Sequence, residues 1–364
     1  MNVVARREFL QVAGWATAGM AAANRLVSAA PDGPKRAPLK AGQIGTAHAH
    51  AGGKMSTLRG LREDYDVVGI VEPDPERRRA AEQSPVYRGV PWLTEGQLLA
   101  TPGLKVVAVE TGVPDLVATA NRCIAAGMHV HMDKPAGESL GAFRRLLADA
   151  TARRLTVQLG YMFRHNPAFL FCFQAVREGW LGKIFEVHGV MSKHAPLAER
   201  SGNSPLRHGT IFELWCHLID ALVQVLGKTE TVTTYSRNIR TDLDAMPDSQ
   251  LAVFEYPAAT ATIRVSLNEV DGGRRRQFVV CGTEGTIEIK PLEPPRATLA
   301  LTRARGKFRP GYQEVELPAP AGRYDDHLRE LARIARGEAA SEYSPAHDLA
   351  VQEMLLRASG LPCS

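Results

Sequence analysis

From residue 41 onward the chain alternates short apolar runs with segments whose apolar positions recur at helical spacing, and this alternation restricts the fold more than any other property. Gln43-Ile44 closes a first strand, Val67-Val68-Gly69-Ile70-Val71 makes a second, and Val106-Val107-Ala108-Val109 and His129-Val130-His131-Met132 follow. Val157-Gln158-Leu159-Gly160-Tyr161 would be the sixth strand and the hinge out of this region. Between the runs, 75–83 and 115–126 read as helices. Strands joined through helices run parallel, and a parallel sheet buries both faces under those helices. The expectation is an α/β chain whose residues 40–160 form a doubly wound parallel sheet.

After Asn166 the texture changes. One helical segment, 167–179, precedes runs separated by turns rather than helices: 185–191, 232–240, 251–256, 260–267, 277–281 and 286–290. That pattern predicts a large, mainly antiparallel open sheet in an α+β domain over 161–345. A helix over 211–226 interrupts it, and helices over 324–336 and 345–359 close the chain, with 346–364 as a C-terminal helix. There is no internal repeat.

Composition narrows the function classes. Net charge is +5, but acids and bases are interspersed, and Arg77-Arg78-Arg79 and Arg274-Arg275-Arg276 are local, without the aromatic-interleaved basic stripe of a nucleic-acid binder. Five widely spaced cysteines make no zinc pattern and read as small buried hydrophobes. The N-terminus carries Arg6-Arg7 ahead of an Ala/Gly-rich apolar stretch ending at Ala30, which reads as a twin-arginine export signal over 1–30 followed by a linker over 31–39. Gly14, Gly19, Asn24 and Arg25 break the stretch below the ~20 apolar residues of a spanning helix. The expected partner is the twin-arginine export machinery and the expected location periplasmic or extracytoplasmic.

The first strand leads into Gly45-Thr46-Ala47-His48-Ala49-His50. A dinucleotide fold places glycines here so that backbone can approach a pyrophosphate at a helix N-terminus; Gly45 holds the first of those positions, while Ala47 and His50 hold the second and third. Glu72 ends the second strand, where a carboxylate grips a ribose diol and disfavours a 2'-phosphate, so NAD is expected over NADP. Asp133-Lys134-Pro135 puts a lysine just beyond a strand's C-terminal end, where open parallel sheets bind ligands. Such a lysine can hydrogen-bond a substrate hydroxyl and, with a lowered pKa, assist proton transfer. Glu213 and His217 stand four apart, one helix turn.

These motifs, in this order, resemble the glucose-fructose oxidoreductase and inositol dehydrogenase (Gfo/Idh/MocA) family from about Leu39 to the C-terminus. Asp133-Lys134-Pro135 is similar to its Glu-Lys-Pro, Gly160 to Pro167 to its Arg-x-x-Pro segment, Glu213 to His217 to its Asp-x-x-x-His, and Gly282-Thr283-Glu284-Gly285 to its Gly-Thr-x-Gly turn. The resemblance implies a Rossmann domain, a second domain whose open sheet mediates homo-oligomers, and hydride transfer between nicotinamide and a hydroxyl-bearing carbon of a sugar, cyclitol or related polyol. It assigns His217 as general acid/base, Lys134 as the orienting and polarising group, and Glu213 to orienting the site or binding another hydroxyl. Gly45, Thr46, Ala47, His48, Glu72, Glu110, Asp133 and Lys134 are expected at the cofactor, and Tyr161, Arg164, Asn166 and Trp215 are candidates for the substrate rim. Where the family carries Thr-Pro, this chain carries Glu110-Thr111-Gly112-Val113-Pro114.

Two other readings stay open. His48, His50 and His131, with Glu110 or Asp133, offer a nitrogen/oxygen donor set for metal-assisted lyase or hydrolase chemistry. The scaffold would also serve a sugar-binding module without nucleotide. Export adds one further expectation: NAD carried inside the folded enzyme and recycled in place.

Overall fold

The computed structural model describes residues 36–196, 200, 211–319 and 321–363. The predicted signal at 1–30 lies outside the described residues, as do 31–35 of the linker. Among the described residues no helix is long and apolar enough to cross a membrane.

Strands β1 (Leu39–Ile44), β2 (Tyr65–Val71), β3 (Leu104–Val109), β4 (His129–Met132) and β5 (Val157–Leu159) pair in parallel in the order β2-β1-β3-β4-β5. Period-two alternation sorts their side chains: Val106 and Ala108 of β3 join one core with Ala41 and Leu58, whereas Val107 and Val109 join the other with Leu116, Ala120 and Phe143. Helix α1 (Ala51–Gly60) covers the first face, and α4 (Leu116–Ala125) and α5 (Leu140–Ala152) the second; α2 (Pro75–Glu82) and the short α3 (Glu95–Leu99) lie between β2 and β3 in the chain.

The sheet has five strands, so 157–159 is the fifth and not the sixth. The missing strand is reduced to one parallel bridge between Ile70 and Trp92, because Pro85 and Pro91 punctuate the segment that would have paired there. Gly160 and Tyr161 lie past β5, in the turn that leaves the sheet.

The second sheet holds eight strands in the order β13-β12-β11-β10-β6-β9-β8-β7. They are β6 (Ile184–Val190), β7 (Thr231–Arg237), β8 (Ser249–Tyr256), β9 (Ala259–Ser266), β10 (Gln277–Gly282), β11 (Gly285–Ile289), β12 (Ala297–Leu301) and β13 (Gly311–Val315). Among the described residues of this sheet only β6 and β9 pair in parallel. β12 and β13 were absent from the sequence reading: Ala297-Thr298-Leu299-Ala300-Leu301 lacks a β-branched apolar run, and β13 is a polar edge strand.

Helices α6 (Pro167–Arg177) and α7 (Cys216–Leu226) belong to this half, and Gly189 of β6 lets Leu218 of α7 sit close, since a Cβ there would meet its Cδ1 at 3.0 Å. The last two helices return to the first half. Leu328, Leu331 and Ala332 of α8 (Asp325–Ala335) complete the core beneath β1 and β3, and α9 (Pro345–Ala358) packs on both α5 and α7. Residues predicted as part of the second domain thus finish the first.

Candidate active site at the strand ends

β1, β2, β3 and β4 all end at one edge of the parallel sheet, and the loops leaving them carry most of the predicted site. Gly45 adopts φ +94°, and a Cβ there would lie 2.6 Å from the backbone nitrogen of Thr111, so only glycine lets these two loops touch. The Thr46 backbone N–H and hydroxyl both donate to Glu72 Oε2, at 2.7 and 2.6 Å, and the Asp74 N–H donates to Oε1 at 3.0 Å. Glu72 therefore pins the glycine loop to the end of β2. Three of its roughly four acceptor directions are taken, which leaves room for one further donor. Ala47 is half-buried beside it.

Toward β4 the site becomes a buried cluster. Asp133 accepts from the Lys134 N–H at 2.7 Å, and its Oδ2 lies 3.3 Å from His48 Nδ1, 3.1 Å from His50 Nδ1 and 3.9 Å from Lys54 Nζ. Burial works against the Asp133 charge, but His48, Lys54 and His50 overcome it and hold the carboxyl well below its usual range. Glu110, at the end of β3, has the opposite fate: burial and then the Asp133 charge push its carboxyl up, and both its oxygens lack a hydrogen-bond partner.

Lys134 Nζ donates to Glu213 Oε1 at 2.6 Å and to the Glu213 carbonyl at 3.0 Å. Burial opposes the ammonium charge, yet Glu213 more than compensates and keeps its pKa raised, so this lysine is a fixed cation rather than a proton carrier. Glu213 lies in a single π-helical turn (Ile211–Trp215) that runs into α7, so the predicted helix over 211–226 divides at Cys216. π-turns widen the helix and recur at functional sites. His217, in the first turn of α7, is buried against Tyr161 and Phe163 with Nδ1 unpartnered; burial, then the Lys134 charge, lower its pKa well below the ordinary histidine range.

Of the four residues expected at a substrate rim, Tyr161, Arg164 and Trp215 are buried and Asn166 is half-buried. Arg164 is buried, with Nη2 donating to Asp220 Oδ1 at 2.6 Å and Asp348 Oδ1 at 2.5 Å, because two carboxylates from α7 and α9 need one guanidinium between them. Asn166 caps α6 by accepting from the Ala168 N–H and donates to the Leu292 carbonyl. Trp215 is fully buried, as its apolar helix position favours, and Tyr161 is too, its hydroxyl unpartnered.

His131 parts from His48 and His50. Its Nε2 takes a hydrogen bond from Lys54 Nζ, and its Nδ1 donates to Gln158 Oε1 at 2.9 Å, so both ring nitrogens are used on the sheet face below the cluster. Burial, then Lys54, lower its pKa to about 3.

Lys54 itself was missed. It sits on α1 beside Ala51, Met55 and Leu58, all buried, and stacks its ammonium 4.3 Å from the Tyr324 ring centroid. The signal was available: a lysine inside an otherwise apolar helical stripe. Tyr324 carried none, because only the return of α8 brings it here.

Comparison with known proteins agrees with this geometry. Residues 40–161 match the oxidoreductase family with an NAD-binding Rossmann fold, and residues 169–288 match the GFO/IDH/MocA C-terminal domain. The chain is 28% identical to the uncharacterized oxidoreductase YhhX of Escherichia coli over 57% of its own length and 59% of that protein's, so this match spans less than two thirds of YhhX. It is 27% identical to an inositol 2-dehydrogenase of Acidothermus cellulolyticus over 81% of this chain and 82% of that one. A levoglucosan dehydrogenase structure described as a complex with NADH and levoglucosan shares the fold with a TM-score of 0.74 at 17% identity, over 89% of this chain and 97% of the other. With both halves matched in tandem and the motif residues gathered at one strand edge, this chain belongs to the Gfo/Idh/MocA family of NAD-binding oxidoreductases.

Proposed function

We propose that this protein transfers hydride between NAD and a hydroxyl-bearing carbon of a sugar, cyclitol or related polyol. The observation that carries the reading is the Lys134 ammonium, locked by Glu213, close enough to His217, whose Nδ1 is unpartnered, to lower its pKa. NAD supplies the hydride acceptor or donor when bound. The residues present suit it: Gly45 lets the loop pass close to the β3 end, Thr46 and Ala47 line the approach, and Glu72 repels a 2'-phosphate while keeping one acceptor direction for a ribose hydroxyl. Similarity to an inositol 2-dehydrogenase and a fold shared with a levoglucosan dehydrogenase support a polyol substrate.

The chain's own part in the reaction follows from charge. Lys134 holds its proton and donates a hydrogen bond to the substrate oxygen, stabilising alkoxide character. His217, neutral near pH 7, accepts the hydroxyl proton during oxidation and returns it during reduction. Oxidation by the folded enzyme therefore stays flat from neutral pH down past 6.5, and falls only where His217 protonates.

The twin-arginine reading completes the proposal: the folded protein is exported with NAD aboard and recycles it between two substrates. Native mass spectrometry of protein from an export-competent host tests this. A mass excess of ~660 Da that survives dialysis, the size of one dinucleotide, together with turnover of polyol pairs without added NAD, is the expected result. Protein that neither retains nor binds NAD sinks the reading.

A further inference from the structure

Among the described residues two groups of histidine and carboxylate side chains bring three donor atoms within 4.8 Å of one another: Asp220, His347 and Asp348, and His48, His50 and Asp133. The first is already filled, because the Arg164 guanidinium bonds both of its carboxylates. The second has no such occupant.

Its hydrogen positions show what it lacks. His48 Nε2 lies 3.1 Å from the Lys134 carbonyl, which can only accept, so Nε2 carries the ring hydrogen and Nδ1 presents a lone pair. That lone pair takes only a long contact from the His50 backbone N–H, at 3.4 Å, and stands 3.3 Å from Asp133 Oδ2, also an acceptor. His50 Nδ1 is 3.1 Å from the same oxygen. Two acceptors at this distance are held together by a cation between them or by a second ring proton. Behind them Glu110 Oε2 stands 4.0 Å from His48 Nδ1, and this fully buried carboxyl has no partner on either oxygen.

The spacing suits a metal. Donors bonded at about 2.0 Å in a tetrahedron stand about 3.3 Å apart, against 3.3 and 3.1 Å here. The outer contact fits as well, since a metal-binding histidine turns its other ring N–H to a backbone carbonyl or carboxylate, as His48 does to Lys134. Lys54, the nearest cation, is tied back by His131 and lies over the Tyr324 ring, 3.9 Å from Asp133 Oδ2.

We propose that His48 Nδ1, His50 Nδ1 and Asp133 Oδ2 bind one divalent first-row transition metal ion, of which Zn²⁺ is the probe. The mixed nitrogen and oxygen set favours such an ion over Mg²⁺ or Ca²⁺. The site uses neither Lys134 Nζ nor His217 but shares His48 and Asp133 with the residues expected at NAD, so nucleotide-free protein is the form to test; its assignment does not rest on the oxidoreductase reading.

The test uses full-length, nucleotide-free protein stripped with chelator, re-equilibrated with Zn²⁺ and dialysed. Elemental analysis is expected to find one Zn²⁺ per chain. His50→Gln, which removes one ligand at the partly exposed edge, is expected to weaken Zn²⁺ by ~100-fold or more in a chelator competition, following the typical loss when a site is disturbed. His165→Gln, outside the cluster, keeps wild-type affinity. Wild-type protein read by histidine ¹⁵N NMR gives a second measure independent of folding variants: Zn²⁺ should shift Nδ1 of His48 and His50 and leave Nε2 of His48 protonated. No retained Zn²⁺, equal affinity in His50→Gln, or a doubly protonated His48 ring unchanged by Zn²⁺ each overturns the proposal.

Discussion

Two of the buried ionic clusters among the described residues, one around Arg164 and one around Asp133 and Lys134, differ in completeness. Around Arg164 every charge is answered: Asp220 accepts from Nε at 3.1 Å and Nη2 at 2.6 Å, Asp348 from Nη2 at 2.5 Å, His347 meets Asp220 at 2.9 Å, and the guanidinium stacks 3.9 Å from the Tyr343 ring centroid. Around Asp133 and Lys134 the pairing stops short. Glu110 has two orphaned oxygens, and His217 keeps an open Nδ1. A buried polar group without a partner costs about 1–3 kcal/mol, so a site that leaves several bare holds them for something that arrives later. The Arg164 cluster joins the turn after β5 to α7 and α9 and finishes the fold; the other keeps valence for chemistry.

The sharpest break of this contrast is Lys134→Met. It should lower kcat for polyol oxidation by about 10²–10³-fold through lost stabilisation of the developing alkoxide, while NAD retention, measured by native mass, persists. Near-normal turnover would remove Lys134 from the reaction.

Arg164→Met tests the other side. It leaves Asp220 and Asp348 facing each other in the core, and breaking a buried pair costs about 3–5 kcal/mol. Urea denaturation should show that loss, with KM for substrate unchanged in the protein that remains folded. A KM shift without a stability loss would return Arg164 to the substrate.

Gly45→Ala sharpens the glycine loop's part. With φ +94° and the Thr111 backbone 2.6 Å away, the added methyl should cost about 1–3 kcal/mol and weaken NAD binding in calorimetry more than it weakens stability. Wild-type NAD affinity in this variant would break the link between the loop and the cofactor.

The smallest effect is a pH slope. Burial, then His165 and His131, depress the pKa of His327 well below its ordinary 6.5. Below that value the unfolded chain binds a proton that the folded chain refuses, so stability falls as pH drops, by about 1.4 kcal/mol per pH unit for this one group. His48 and His217 act in the same direction. His327→Gln should flatten the dependence of the urea midpoint on pH below 6.5; an unaltered slope would place the titration elsewhere.

The order of strands and helices, the parallel first sheet and most of the antiparallel second one were legible in the chain, since burial on one face or two imposes periods that local sequence displays. Lys134 and Glu213 stood out in the chain as motif residues, and the structure brings them into contact. The six-strand count failed where two prolines reduced a strand to a single bridge at Trp92. The burial of Arg164 and Trp215 was not legible, because a polar or aromatic side chain looks alike in sequence whether it faces ligand or core. Glu110 was legible as a carboxylate at a strand end, but not as one without a partner.

What the sequence determined by itself is local: periodicity, glycine at a strained turn, residue types at strand ends. What only the tertiary structure decided is which charges meet. Asp133 gathers His48, His50 and Lys54, His50 from 83 positions away, and α8 returns Tyr324 to a site built by the first hundred residues of the sheet. Pairing between distant segments depends on the packing of whole layers, and the protonation of each group depends on that pairing, so neither is written in any short stretch of the chain.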